Sequence, residues 1–277
     1  MQISKASKAV GGLVEDVDVK DLSDSQFDEI RQAFFDYGAL FFRDQDLTPE
    51  DHIAFAKRWG EIDVNRFFSP VPDYPEIAEV LKEADQELNI GGSWHTDHSY
   101  DEAPAMGSIL YALDIPPSGG DTLFAGMATA YEALPQEMKG RIANLKARHG
   151  NDHAFGETSE YRKAMGGRLI NPEAAGQQAV HPIVLTHPDS GKKGIYVNPG
   201  FTLQIEGMDK AESDALLAEL YAHVQQPQFH YRHVWEEGML AMWDNRATWH
   251  NALNDYQGHR RYLHRITMEG VPLSQTH

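Results

Sequence analysis

The chain has 277 residues, 41% hydrophobic and 24% charged, enough to bury a sizeable core and unlike the composition of a disordered chain. Its 24 basic and 42 acidic residues leave a formal charge of −18, a surface that repels nucleic acid and anionic membrane. With no cysteine, disulfides, thiolate zinc sites, iron–sulfur clusters and cysteine nucleophiles are excluded, so any metal must be held by His, Asp or Glu.

The opening stretch MQISKASKAVGGLVEDV lacks the apolar centre of a secretory signal, and no apolar run approaches the ~20 residues that span a bilayer; cytoplasm is the expected location. Ser23 to Tyr37 reads as a helix, with Phe27, Ile30, Ala33 and Phe34 at helical spacing and Asp21, Ser23 or Asp24 available as its cap. GALFFRD at 38–44 reads as a buried strand. A second helix is expected from Pro49 to Trp59, with Thr48 as N-cap and Asp51 three residues on. Beyond about residue 93 short strands and turns dominate. MGSILYAL at 106–113 and TLFAG at 122–126 flank the turn PPSGGD, and Met127 to Leu145 is helical with a break at Pro135. VHPIVLTH and KGIYVN flank PDSGK as a hairpin, and Asp209 to Gln225 is a helix with Leu216, Leu217, Leu220 and Val224 on one stripe. Strands at Phe229–Trp235, Met239–Trp243 and Arg261–Met268 close the chain.

There is no internal repeat, no linker rich in Pro, Gly or Ser, no GxGxxG and no P-loop, and the alternating βαβ pattern is absent. One domain over 1–277 is expected, of α+β class, a β-sandwich or jelly roll decorated by helices.

The chemistry centres on Trp94-His95-Thr96-Asp97. On a strand, residues two apart share a side, so His95 and Asp97 could offer an imidazole nitrogen and a carboxylate oxygen to one ion. His-x-Asp by itself is common, and His187-Pro188-Asp189 also fits; that copy lies in the hairpin turn, where it serves backbone geometry. The first copy gains weight from WDNRATWH at 243–250, which follows the strand GMLAMW and precedes Arg261 and Arg265. Two histidines and one carboxylate on one face of a metal leave three open positions, the arrangement of non-haem Fe(II) oxygenases. Arginine suits a keto acid's far carboxylate, because its planar fork binds two oxygens at once. Plain strand alternation, however, would send Tyr262, His264 and Ile266 inward and both arginines to water.

Three stretches together, WHTDHSYDEAPAMGSIL at 94–110, PPSGGDTLFAGMATAYEAL at 116–134 and WDNRATWHNALNDYQGHRRYLHR at 243–265, resemble the taurine dioxygenase/TfdA family of Fe(II)/2-oxoglutarate oxygenases. The resemblance runs from about Gly38 to Gly270. It implies a double-stranded β-helix, a jelly-roll variant, with iron held by His95, Asp97 and His250. It also implies that Thr122 and Arg261 hold the distal carboxylate of 2-oxoglutarate, and that Arg265 meets an anionic group on the substrate. The implied cofactor is Fe(II), with 2-oxoglutarate and O2 as cosubstrates. The implied reaction is oxidative decarboxylation to succinate and CO2, coupled to hydroxylation of a substrate C–H.

Two departures bear on the substrate. The taurine enzymes place a histidine where this chain has Asn65, and an asparagine where it has Gly91. EADQELNIGGSWHTD at 83–97 and the ending HRRYLHR look closer to the aryloxyalkanoate-cleaving branch. The expected substrate is therefore a small anionic organic compound, an aryloxyalkanoate-like carboxylate, with a taurine, alkylsulfonate or alkyl sulfate enzyme as the alternative. Asn65, Tyr100, Phe155 and Phe201 are expected to line the pocket. A homo-oligomer is expected, with no nucleic-acid or membrane partner. Rival readings are a jelly roll that binds metal without redox chemistry, and a hydrolase using metal-bound water; neither requires Arg261 and Thr122 together.

Overall fold

The structure is a computed structural model, and it describes residues 1–273. Among the described residues, the three longest helices begin where the sequence supplies caps. Ser23 accepts from the Gln26 N–H while Gln26 reaches back to the Ser23 N–H, and this reciprocal cap opens helix Asp24–Tyr37. Thr48 and Asp51 repeat the device at helix Pro49–Lys57. Asp209 caps Lys210–Val224. Gly38, at φ 73°, ends the first helix and turns the chain directly into strand Ala39–Phe42. The expected break at Pro135 separates Met127–Ala133 from Gln136–Ile142.

The largest sheet runs, in spatial order, Gln2–Lys5, Gly12–Glu15, Ala39–Phe42, Leu240–Asp244, Gly107–Asp114, Arg261–Met268, Tyr74–Lys82 and Pro70–Val71, with Ile62–Asp63 also pairing to Arg261–Met268. A three-stranded sheet, His230–His233, Thr122–Gly126 and Thr248–Ala252, forms the second wall. Strands near one another in space but far apart in sequence are what a jelly roll requires, and this is a double-stranded β-helix core decorated by helices. The predicted strand over 180–187 is divided: Gln178–Pro182 pairs with Lys146–Gly150, whereas Val184–Thr186 turns into the hairpin with Lys193–Ile195. Strands Gln2–Lys5, Gly12–Glu15, Tyr74–Lys82 and Thr248–Ala252 go beyond the sequence reading.

Alternation along the large sheet separates two apolar layers. Leu40, Phe42, Ile109, Tyr111, Leu240, Met242, Ile266 and Met268 face the first two helices. Ala39, Phe41, Leu110, Ala112, Ala241, Trp243 and Leu263 face the interior, where Phe124 and Trp235 come from the opposite wall. Both faces of Arg261–Met268 are thus covered, and a polar-out, apolar-in rule has no outside to refer to. Arg261 and Arg265 share the interior face with Leu263 and are 4% and 6% exposed. The expectation of plain alternation fails here because the helices, not water, cover the other side. Among the described residues no helix is long and apolar enough to cross a membrane.

Three further buried histidines stand outside the group His95, Asp97 and His250. Burial pushes His52, His149 and His233 each down from 6.5 to about 3. Unfolding returns them to ordinary values, so below pH 6.5 the unfolded chain binds more protons than the folded one. Their contribution to stability is complete above 6.5 and is lost as pH falls toward about 3, with a limiting slope of ~4 kcal/mol per pH unit for three sites. The urea midpoint is expected to drop clearly between about pH 7 and about pH 5, a range too high for most carboxylates to contribute. A flat midpoint over that interval would contradict the burial of neutral imidazoles.

Candidate active site

His95 and His250 meet through the backbone. The His95 N–H donates to His250 O at 3.1 Å, and the His250 N–H donates to His95 O at 2.8 Å. Such a closely bonded antiparallel pair sets two side chains next to each other, and the ring centroids are 4.1 Å apart. His250 lies in strand Thr248–Ala252, but His95 makes only this isolated bridge and Asp97 already belongs to the following turn. The expected strand over 95–97 is therefore corrected: a bridge and a turn, not regular alternation, bring Asp97 to the histidines. Thr96 pins the segment by donating to Asn245 O at 2.6 Å. Ser99 secures the turn from below, within 3.0 Å of Asn198 Nδ2 and 3.1 Å of His149 Nδ1.

Nε2 of His95 lies 3.4 Å from Asp97 Oδ1, and Nε2 of His250 lies 3.7 Å from Asp97 Oδ2. One donor atom from each of the three residues lies within 4.8 Å of the others, and all three residues are buried. Ligands ~2.0–2.2 Å from a common ion on adjacent corners stand roughly 3 Å apart, so small side-chain shifts close the set on a metal. Nδ1 of His95 donates to Ser93 O at 2.7 Å, which leaves its Nε2 lone pair free for an ion. Burial pushes the Asp97 carboxyl up, but Arg265, His250 and His95 outweigh it and hold the group well below the usual range. His250 is held down by burial and by the neighbouring His95. Asp97 is therefore a carboxylate and His250 a neutral imidazole, the protonation states a divalent cation needs.

A cavity of ≈ 310 Å³ opens over these donors, lined among others by Thr122, Phe155, Phe201, Arg261 and Arg265. Nε of Arg261 donates to Gly120 O at 2.9 Å, while its Nη2 is buried without a partner. Burial lowers this guanidinium to about 10. Thr122 Oγ1 accepts from Trp235 Nε1 at 3.0 Å, so the hydroxyl proton is left to donate elsewhere. Arg265 Nη2 donates to Asp97 Oδ2 at 2.9 Å and to Ser108 Oγ at 2.8 Å, and its Nε is buried and unpartnered. Two unsatisfied buried cationic donors beside a triad able to hold a metal suit an anion, because leaving such groups bare costs the full desolvation penalty.

Among the predicted wall residues, Phe155 and Phe201 face the cavity. Tyr100 stands behind them, 4.9 Å edge-on to Phe201 and 6.2 Å from Phe155, as support for the wall rather than its surface. Asn65 is corrected too: its Oδ1 accepts from the Phe67 and Phe68 N–H groups at 2.9 Å, so it builds the turn that delivers Phe68 to the wall. Gly91 does line the cavity, and a Cβ there would lie 3.4 Å from His95 Cε1, so its bareness leaves room beside the metal donors. His187, assigned to structure, is buried and bonded to Asp244 at 2.9 Å, where Arg246 also binds. Ser108 was not foreseen; its signal is a lone hydroxyl within an apolar strand run. Tyr161 and His153 also line the cavity, delivered by short helices whose approach no spacing rule encodes.

A jelly roll that brings two histidines and an aspartate together, with two buried arginines lining the same cavity, defines the class of non-haem iron oxygenases. Similarity to known proteins narrows this. The profile of the Taurine catabolism dioxygenase TauD, TfdA family matches residues 4–267. The (S)-phenoxypropionate/alpha-ketoglutarate-dioxygenase of Sphingobium herbicidovorans is 30% identical over 280 residues, covering 99% of this chain and 96% of that protein. The alpha-ketoglutarate-dependent 2,4-dichlorophenoxyacetate dioxygenase of Cupriavidus pinatubonensis is 33% identical over 277 residues, covering 92% of each. A crystal structure of a taurine dioxygenase from Burkholderia xenovorans matches with a TM-score of 0.82 at 33% identity, covering 97% of this chain and 90% of that one. The chain belongs to the TauD/TfdA family. It is a 2-oxoglutarate-dependent dioxygenase, with Fe(II) as its metal and 2-oxoglutarate and O2 as cosubstrates.

Proposed function

We propose that this dioxygenase hydroxylates a small aryloxyalkanoate-like carboxylate, with His95, Asp97 and His250 holding iron, Thr122 and Arg261 holding the distal carboxylate of 2-oxoglutarate, and Arg265 facing the substrate's carboxylate. The observation that carries this reading is the pair of unpartnered buried donors, Arg261 Nη2 and Arg265 Nε, in one cavity with the three metal-binding side chains. Bound Fe(II), 2-oxoglutarate and O2 supply the oxidative decarboxylation to succinate and CO2 and the oxidising equivalent that breaks a substrate C–H bond.

The chain's own residues bind and orient. Arg261 and Thr122 line the same cavity, and the guanidinium with the Thr122 hydroxyl would hold the distal carboxylate and so fix the keto acid's direction. Arg265 is half-committed, with Asp97 and Ser108 taking Nη2 and leaving Nε for an anion. That link ties the substrate's anchor to a metal-binding carboxylate, so the C–H presented to the centre is set by where the acid group docks. Phe68, Phe155 and Phe201 offer flat apolar faces to an aryl group and exclude water. A hydroxyl placed on a carbon beside an ether oxygen makes the product collapse with C–O cleavage. Ferrous iron and 2-oxoglutarate are reagents of the cytoplasm, which is the setting we assign.

Succinate release in the presence of Fe(II), 2-oxoglutarate and O2 tests the substrate class across phenoxyacetate, 2-phenoxypropionate, taurine, hexyl sulfate and uncharged aryl ethers. The aryloxy acids are expected to exceed taurine by about tenfold or more, since Gly91 offers no side chain and Asn65 is tied up in its turn, while Phe68, Phe155 and Phe201 suit an aryl group. Stimulation by uncharged ethers alone would end the anchoring role of Arg265. A preference for taurine or hexyl sulfate would favour the sulfonate and sulfate reading. Anaerobic Fe(II) with 2-oxoglutarate should also give a weak visible charge-transfer band; metal binding without that band would favour a non-redox binder or a hydrolase.

A further inference from the structure

We propose that Asp255, an exposed carboxylate outside the cavity, is a positioning residue for the cosubstrate: it clamps the Gly119–Gly120 turn whose carbonyl sets the tilt of Arg261. The inference rests on the reading of Arg261 as the group that takes the distal carboxylate of 2-oxoglutarate.

A guanidinium at the end of a three-carbon arm has many rotamers, and its fork serves an anion only when one of them is selected. For Arg261 the selecting contact is the 2.9 Å bond from Nε to Gly120 O, since Nη2 is buried without a partner. The turn lies flush on the arm: a Cβ on Gly120 would stand 3.1 Å from Arg261 Cδ and 3.3 Å from Nε. Gly119 and Gly120 have φ of +78° and +74°, so the turn is made of two left-handed glycines with no side chain to anchor it.

What holds the turn comes from outside. The Gly120 N–H donates to Asp255 Oδ1 at 2.8 Å, and the Leu253 N–H donates to Asp121 O at 2.8 Å. Arg232 bridges the two acids, with Nε 2.5 Å from Asp121 Oδ2 and Nη2 3.6 Å from Asp255 Oδ2. Segment 253–255 thus grips the turn from the solvent side while Arg261 leans on it from within. The side chain of Asp255 is 48% exposed, so packing does not explain its place, whereas an amide-to-carboxylate bond is among the stronger hydrogen bonds available to a turn. Thr122, two residues beyond Gly120, opens strand Thr122–Gly126 directly after the turn, so the clamp lies next to both groups of the carboxylate cradle.

Two variants separate the acceptor from the charge. Asp255→Ala removes both, and Asp255→Asn keeps an acceptor oxygen. The probe is N-oxalylglycine, an isostere of 2-oxoglutarate, titrated calorimetrically into the Mn(II)-loaded protein; hydrogen exchange of the Gly120 amide is read without it. Asp255→Ala is expected to weaken the analogue about 5- to 30-fold and to speed Gly120 exchange, with Mn(II) affinity and Tm unchanged. Asp255→Asn is expected to recover most of both. Analogue affinity within about twofold of the parent in Asp255→Ala would overturn the clamp. So would an Asp255→Asn as weak as the alanine variant, or a shared fall in Tm and Mn(II) affinity. Arg261→Ala serves as the control: if it too leaves analogue affinity intact, the reading of Arg261 is what fails. If Arg261→Ala weakens the analogue and Asp255→Ala does not, only the clamp falls.

Discussion

Replacing Arg261 by alanine is expected to raise the 2-oxoglutarate concentration for half-maximal turnover by about 10²-fold, with a much smaller fall in kcat at saturating cosubstrate. The side chain is 4% exposed, and its Nη2 has no protein partner. A carboxylate entering this site meets a donor that has already lost its water, so the charge-assisted bonds it forms are not discounted by exchange with solvent. Truncating one partner of a buried, hydrogen-bonded charge pair costs about 2–5 kcal/mol, which converts to roughly 30- to 4,000-fold in affinity. The loss should appear in KM for 2-oxoglutarate because the distal carboxylate stays the same through the reaction; the interaction is uniform between ground and transition states. Arg261→Lys should recover only part of the loss, since an ammonium keeps the charge but lacks the fork that serves Gly120 O and a carboxylate together. Initial rates against 2-oxoglutarate at fixed substrate decide the matter, and an unchanged half-saturation concentration would remove Arg261 from the cosubstrate site.

Asp97→Ala should abolish turnover and weaken divalent metal binding by more than the ~100-fold that removal of an outer-shell partner costs. Asp97 is the one carboxylate among the three residues proposed to hold the metal, and it supplies an oxygen toward each histidine, 3.4 Å from Nε2 of His95 and 3.7 Å from Nε2 of His250. Its loss leaves two imidazoles and a buried cation, Arg265, facing the same space, an environment that repels a divalent ion. Asp97→Asn keeps an oxygen but not the charge, so it should fall between alanine and the parent in metal affinity while still failing to turn over. Equilibrium dialysis with Co(II) or Mn(II) reads affinity directly, and succinate formation reads turnover. Metal affinity in Asp97→Ala within about tenfold of the parent would mean that the ion sits elsewhere.

The arginines divide what was legible in the sequence from what was not. A strand over Arg261–Met268 followed from its residues, but the face its cations take did not. Alternation reports only that 261, 263, 265 and 267 share a side; which side meets the cavity depends on helices Asp24–Tyr37 and Pro49–Lys57 covering the other one. Family resemblance carried Arg261 and Arg265 inward where local pattern argued the reverse. His95 and Asp97 show the same split. Their residue types and spacing pointed to a metal, yet the strand invoked to align them is a single bridge and a turn. Asn65 and Tyr100 were sensible wall candidates by position, but a local turn claims the first and packing behind Phe201 claims the second.

Caps, helix stripes, the hairpin turn and the His-x-Asp motif were readable from the sequence alone, because each depends on side chains and backbone groups within a few residues of one another. Tertiary structure alone decided that His250 bonds back to His95 across the 154 residues between them, and that Arg265 reaches Asp97 and Asp255 reaches Gly120. Those meetings depend on which strands the two sheets bring side by side, and strand order is set by burial summed over the whole chain, a quantity that no local window contains.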